Sequence, residues 1–175
     1  MPKVERRNAG TEFLKECIAD SLIKLMGTRP FDKITSTEIT NLANVGRATY
    51  FRQFNSKEDV LSYKIKLLWS RWAEEHHIEK RDVYDLDDLE TLFEFIYSIR
   101  QLNDLLQKAD KMNVLLLSLG SGLGINEPED PFELYRYRFF TMGMSMVLYE
   151  WIKRDYKESP RELIAYLKEH AVPFT

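Results

Sequence analysis

A single cysteine, Cys17, stands in a chain of 175 residues, so neither an internal disulfide nor a cysteine-built metal site can form. Cys17 falls within a helical apolar pattern, which predicts a buried structural thiol. Glycine and proline are scarce, seven and six, and they cluster at a few places. Between them apolar residues recur every three and four positions rather than every two, which argues against strands. No run approaches the roughly 18–20 uninterrupted apolar residues of a membrane span. Residues 1–10 are polar and lack the apolar run of a secretory signal, so a cytoplasmic location is expected. Strong charge of one sign is also lacking: the net is −3. The charge is nevertheless uneven. Residues 1–57 carry ten basic against six acidic side chains, and the remainder fifteen against twenty-two. A basic head on an acidic body suggests that only the head meets a polyanion.

What is present is a succession of helices. Leu14, Ile18, Leu22 and Leu25, widened by Phe13 and Cys17, form the apolar stripe of a first helix from about Thr11 to Met26. Gly27 and Pro30 end it. Thr35 with Glu38 three residues on is a capping box, flanked by Ile34 and Ile39 as a hydrophobic staple. The helix it opens runs from Ser36 to about Ala43. Asn44-Val45-Gly46 makes a tight turn, because Asn tolerates the left-handed conformation. A third short helix follows from Arg47 to about Phe54. Ser56 with Asp59 opens a fourth, to about His77, with Leu61, Ile65, Leu68 and Trp72 on one face. The segment Glu79–Asp88 reads as a solvated connection. One helix is expected from Asp87 to about Lys108, another over Met112–Leu119, a loop over Gly120–Asp130 and a long helix over Phe132–Lys157. Ser159, Pro160 and Glu162 open the last, with Ile164, Leu167 and Ala171 on its apolar face.

Two short helices joined by a three-residue turn form a helix-turn-helix. Its second helix must place hydrogen-bonding side chains in the major groove while phosphates hold the backbone. Arg47 can fork onto guanine edges or a phosphate. Ala48 and Thr49 allow close approach and either can touch a thymine methyl, while Arg52, Gln53 and Lys57 are spaced to reach base or backbone. Thr35 and Thr37 lie where a helix N-terminus suits a phosphate.

The segment Ile34–Leu61, ITSTEITNLANVGRATYFRQFNSKEDVL, resembles the DNA-binding domain of the TetR family of bacterial repressors. Ile34-Thr35, Ile39, Ala43, Val45, Arg47, Thr49, Phe54, Ser56-Lys57-Glu58 and Leu61 fall in register with that family's pattern. The resemblance implies an all-α, TetR-like fold: a three-helix helix-turn-helix DNA-binding domain, residues 1–56, then a helical ligand-binding and dimerisation domain, residues 57–175. It implies a homodimer on a palindromic operator in double-stranded DNA, and a repressor released by a small-molecule or other signal. Three positions depart from the pattern. Asn44 stands where Gly is common, and Gly46 where Ser would cap the recognition helix. Phe51 stands where Tyr is common. Tyr50, with Val45 and Phe54, points to the core by helical spacing, which leaves Phe51 toward DNA. Phe51 cannot donate to a phosphate, so apolar packing against sugar or a thymine methyl is expected.

The family's last two helices pair with a partner's in a four-helix bundle. Gly143 and Ser145 permit close helix approach. Met142, Met144, Met146, Leu148, Trp151 and Ile152 cover more than one face, so their helix lies deep in its own core or is shared with a partner. Gly143, Met144, Ser145, Leu148, Trp151 and Ile152, with Ile164 and Leu167 of the last helix, are the candidate dimer contacts. The resemblance also implies an inducer pocket, for which Trp69, Trp72, Phe93, Ile96, Tyr97, Met112 and Leu116 are candidates; aromatics at helical spacing are equally core packing. Ligand binding would favour a tilt of helix four that moves the two reading heads apart.

No cofactor, metal or catalytic site is expected. Adjacent His76 and His77 point apart on a helix, and His170 is alone. Gly120, Gly122 and Gly124 lack the Lys-Ser/Thr end of a phosphate loop. Asp82, Asp85, Asp87 and Asp88 miss the calcium-loop spacing. No Ser/His/Asp or Cys/His arrangement suggests an enzyme. The alternative is a helical adaptor of the same fold that acts through a protein partner without binding DNA.

Overall fold

A computed structural model describes residues 3–78, 86–122 and 128–170. Among these the chain is helical, without a strand: α1 (Lys3–Met26), α2 (Ser36–Ala43), α3 (Arg47–Gln53), α4 (Lys57–Glu75), α5 (Leu86–Ser98), α6 (Arg100–Lys108), α7 (Met112–Gly122), α8 (Pro131–Lys153) and α9 (Pro160–His170). A single 3₁₀ turn, Phe31–Lys33, lies between α1 and α2. The expected all-α class therefore stands. The acidic cluster at Asp82 and Asp85, with Gly124 and Ala171, lies outside the described residues.

The helix ends follow local chemistry. All three predicted capping boxes form, at Thr35/Glu38, Ser56/Asp59 and Ser159/Glu162, each side chain receiving the backbone N–H of the other partner's end. At the far end of α2, Asn44 is left-handed (φ 54°, ψ 44°), and the Val45 N–H closes back onto Thr40 O at 3.0 Å. His77, Asp110 and Asp155 also take positive φ just past helix ends. Ile78, Lys111 and Tyr156 then donate back to the carbonyls of Ala73, Leu106 and Trp151. These are Schellman-type stops without glycine, so scarcity of glycine did not limit the number of turns.

Three expectations need correction. The helix expected from Asp87 to Lys108 is two helices, broken at Ile99 (φ −99°, ψ 21°). The break frees the Ile96 carbonyl, and the buried Asn103 amide donates to it at 2.8 Å. The Ser98 hydroxyl meanwhile bonds the Phe95 carbonyl at 2.6 Å. Gly120 and Gly122 continue α7 rather than start a loop. Phe13, expected on the buried stripe of α1, is 66% exposed, and Cys17 is only half-buried.

One continuous core joins the two ends of the chain. Ile18, Leu22, Ile39, Tyr50, Phe54 and Leu61 hold the N-terminal helices together, and Phe93, Phe95, Ile96, Leu106, Leu115, Leu148 and Ile164 the rest. A polar seam fastens α4 along α1. Arg71 pairs bidentately with Glu16 at 2.5 and 2.7 Å, Lys64 reaches Asp20 at 2.6 Å, and the Tyr63 hydroxyl donates to Glu12 at 3.1 Å. Burial and the neighbouring Glu12 carboxylate push the Tyr63 phenol well above its usual range, which keeps it a donor.

Candidate nucleic-acid interface

Helix α3 turns one face inward and the opposite face out. Tyr50 and Phe54 are buried, and their rings meet at 6.1 Å. Arg47, Ala48, Phe51 and Arg52 are exposed, while Thr49 and Gln53 flank them half-buried. This is the i, i+1, i+4, i+5 pattern of a single outward face. The face exists because Asn44 stops α2 in the left-handed conformation and Val45 tucks against the core, which sets α3 at an angle to α2. Phe51 is 54% exposed, a large apolar ring held out in water. Behind it Tyr50 packs edge-on at 5.2 Å, and the Arg47 guanidinium lies 5.9 Å from its centroid.

The remaining expected contacts divide. Thr37 is exposed at the start of α2. Thr35 is exposed too, but its hydroxyl is engaged: it donates to Glu38 Oε2 at 2.8 Å and accepts from the Glu38 N–H at 3.2 Å. Glu38 also pairs with Arg29. Thr35 is thus a cap first. Lys57 turns inward, its ammonium donating to the Phe31 and Ile34 carbonyls at 2.6 and 2.9 Å and lying 4.4 Å from the Phe31 ring centre. It fastens the turn before α2 to the start of α4.

The seven expected pocket residues divide between the core and its margin. Phe93 and Ile96 are buried core. Trp69 and Trp72 pack on Phe95 at 5.1 and 5.8 Å, and Trp72 stacks on His76 at 4.0 Å. Tyr97 is half-exposed beside Tyr156 at 5.5 Å. Burial raises the Tyr156 phenol to about 12. Met112 and Leu116 line an open groove of about 430 Å³ with Lys111, Met146 and Tyr149.

Of the expected dimer contacts, Leu148, Trp151, Ile152 and Ile164 belong to the chain's own core. Met144, Ser145 and Leu167 are half-buried, and Gly143 is exposed. The exposed apolar face of α8 keeps Met142 and Met146 of the apolar residues singled out in the sequence and adds Phe132, Tyr135, Phe139 and Tyr149. They recur at three and four residues and include Gly143 in their line. Fourteen of the 23 residues of α8 are apolar and fall on every side of the helix, so no single period stands out in its sequence. Among the described residues no group of three or more His, Cys, Asp or Glu side chains could hold a metal, and no helix is long and apolar enough to cross a membrane.

No protein-family model matches the chain and no curated protein matches its sequence. Solved structures do resemble it. One, of the fatty acid degradation regulator FadR from Bacillus halodurans, aligns over 89% of this chain and 91% of its own at 18% identity with a TM-score of 0.45. Another, of the dihydroxyacetone kinase operon activator DhaS, aligns over 89% of this chain and 92% of its own at 17% identity with a TM-score of 0.52. The chain shares with that activator its all-helical fold.

Proposed function

We propose that this chain is a DNA-binding transcriptional regulator of the TetR type, with a reading head in residues 1–56 and a regulatory and dimerisation body in residues 57–175. The observation that carries the reading is the outward face of α3. Arg47, Ala48, Phe51 and Arg52 stand exposed together on the second helix of a helix-turn-helix in which the cap of α2, the turn and the buried face all agree. No folding role accounts for two arginines and a bare aromatic ring there. Their cationic tips suit phosphates and guanine edges. The resemblance of Ile34–Leu61 to TetR heads, and the fold shared with an operon activator, support the same reading.

The working unit is a homodimer on a palindromic operator. The exposed stripe of α8 supports it. With an aromatic side chain covering roughly 150–250 Å², the stripe offers on the order of 800 Å², about what each partner of a standard interface contributes. Two heads so joined would read half-sites about one helical turn, 34–36 Å, apart. A signal acting on the body would release the heads through α4, which the α1 seam ties to both parts.

The test is a mobility shift of the purified chain on its own upstream DNA and on duplexes selected from random sequence. Arg47→Ala/Arg52→Ala serves as the variant, since neither arginine holds the head together. Binding that is specific, steeply weakened by salt and lost in the variant supports the reading. No specific site even at low salt replaces it with that of a protein adaptor.

A further inference from the structure

We propose that Arg47 and Phe51 act as one reading unit that selects a guanine and a thymine within about two base-pair steps of each other in each operator half-site. The inference rests on the DNA-binding reading above and goes further, to the bases read. Its ground is a chain of contacts from core to surface. Tyr50 is buried and fixed against Phe54 at 6.1 Å. Its ring meets Phe51 edge-on, at 5.2 Å and 86°. Phe51 in turn lies under the Arg47 guanidinium, 5.9 Å from its centroid. The two outermost side chains of this series are both exposed. An exposed arginine ordinarily samples many rotamers, and each contact it makes must offset that entropy. Here the guanidinium lies over the ring face, at the outer limit of cation–π range, which favours that placement over the others. The arrangement is preorganised for a planar, bidentate target.

The two groups dictate different bases. In the major groove a guanidinium forks onto O6 and N7 of guanine. An aromatic ring has no donor or acceptor, so it distinguishes bases only through the C5 methyl of thymine. The 5.9 Å between them spans a little under two steps of about 3.4 Å along a strand. Arg52 and Gln53, one turn further along α3, are left for phosphate or flanking bases.

The experiment selects an operator for the full-length chain from random duplexes, then alters single atoms of the selected site. Uracil for thymine removes only the methyl group. 7-Deazaguanine for guanine removes only the N7 acceptor. For the wild type, uracil should weaken binding about fourfold, the value of one buried methyl-sized group, and 7-deazaguanine by tenfold or more. In Phe51→Ala the thymine and uracil duplexes should bind equally, and discrimination against 7-deazaguanine should shrink. Arg47→Ala should lose the guanine discrimination and keep the thymine preference. A merely structural Phe51 would weaken all duplexes together and leave the ratios as they were. An operator without the guanine–thymine pair, or a thymine-to-uracil ratio of one in the wild type, overturns the proposal while DNA binding stands. If no operator is selected at all, the DNA-binding reading fails and this proposal with it.

Discussion

The Lys111 ammonium, in the turn before α7, lies 3.0 Å from the Glu58 carboxylate in the first turn of α4 and 5.2 Å from the centre of the Phe31 ring. Lys57 approaches that ring at 4.4 Å. Phe31 is therefore flanked by two cations, one from α4 and one from the turn between α6 and α7. Burial pushes the Glu58 carboxyl up, but the hydrogen bond and charge of Lys111 outweigh it, and the group sits below its usual value. The same bond raises Lys111, so the two partners agree. A solvent-facing pair of this kind contributes at most about 1 kcal/mol. Lys111→Gln should lower stability by no more than that, yet loosen the turn it touches. The amides of Lys33 and Ile34, which bond Pro30 and Phe31 at 3.0 and 3.1 Å, should exchange with deuterium faster. Unchanged protection would mean that Lys111 does not hold this turn.

Lys57 is expected to matter for folding before it matters for DNA. Lys57→Met removes two charge-assisted bonds to the Phe31 and Ile34 carbonyls and should cost about 1–3 kcal/mol. A lower denaturation midpoint with an unchanged slope would report it. A variant as stable as the wild type would show that the ammonium is dispensable there and available to a phosphate.

The contrast between Lys57 and Arg47 shows what a sequence discloses. Both are basic and both fit the resemblance. Only Arg47 stands outward, because the carbonyls that capture Lys57 come from residues 23 and 26 positions away, and no local pattern announces them. Signals confined to a few residues were legible: the Thr35 and Ser56 boxes, the left-handed Asn44, the inward Tyr50 and outward Phe51. Signals that depend on what packs against a helix were not. Nothing at Ile99 marks a helix break, since the stabilising partner of the freed Ile96 carbonyl is Asn103, seven residues on. On α8, Leu148, Trp151 and Ile152 turn inward while Phe132, Tyr135 and Phe139 face out, a division that hydrophobicity alone does not make.

Gly46 caps α3 without a side-chain bond, at φ −71° and ψ 144°, an extended backbone open to any residue. A Cβ there would meet only Thr49 Oγ1, at an ordinary 3.9 Å. Gly46→Ser places a hydroxyl within reach of the Thr49 N–H and should stabilise the protein by a few tenths of a kcal/mol. A small upward shift in thermal midpoint would report it. A fall would show that the added side chain disturbs the turn between α2 and α3.

The seam between α1 and α4 should weaken in acid. The Arg71 hydrogen bond holds the Glu16 carboxyl below its ordinary 4.5 against the opposing effect of burial. The Lys15 hydrogen bond, with help from Tyr63, does the same for Glu12. A carboxyl depressed in the folded state contributes stability above its unfolded value and loses it as pH falls through the folded value. The thermal midpoint of the wild type should therefore exceed that of Glu16→Gln at pH 7, and the gap should narrow below about pH 4.5. A gap independent of pH would trace the effect to packing rather than charge.

In the proposed homodimer, Gly143 would separate dimerisation from folding. It lies in the exposed apolar line of α8, and a Cβ added to it would meet nothing within 4 Å. Glycine inside a helix costs roughly 0.5–1 kcal/mol relative to alanine, so replacing it should stabilise the single chain. Where two α8 helices cross closely, the same replacement would wedge them apart. Gly143→Ala should raise the thermal midpoint measured at high dilution, while Gly143→Leu should shift sedimentation equilibrium from dimer toward monomer and leave helicity unchanged. Phe132→Glu, farther along the same line, should act in the same direction if the whole stripe is buried. Should Gly143→Leu remain dimeric while Phe132→Glu does not, the two helices meet along the N-terminal half of α8 and not across its glycine.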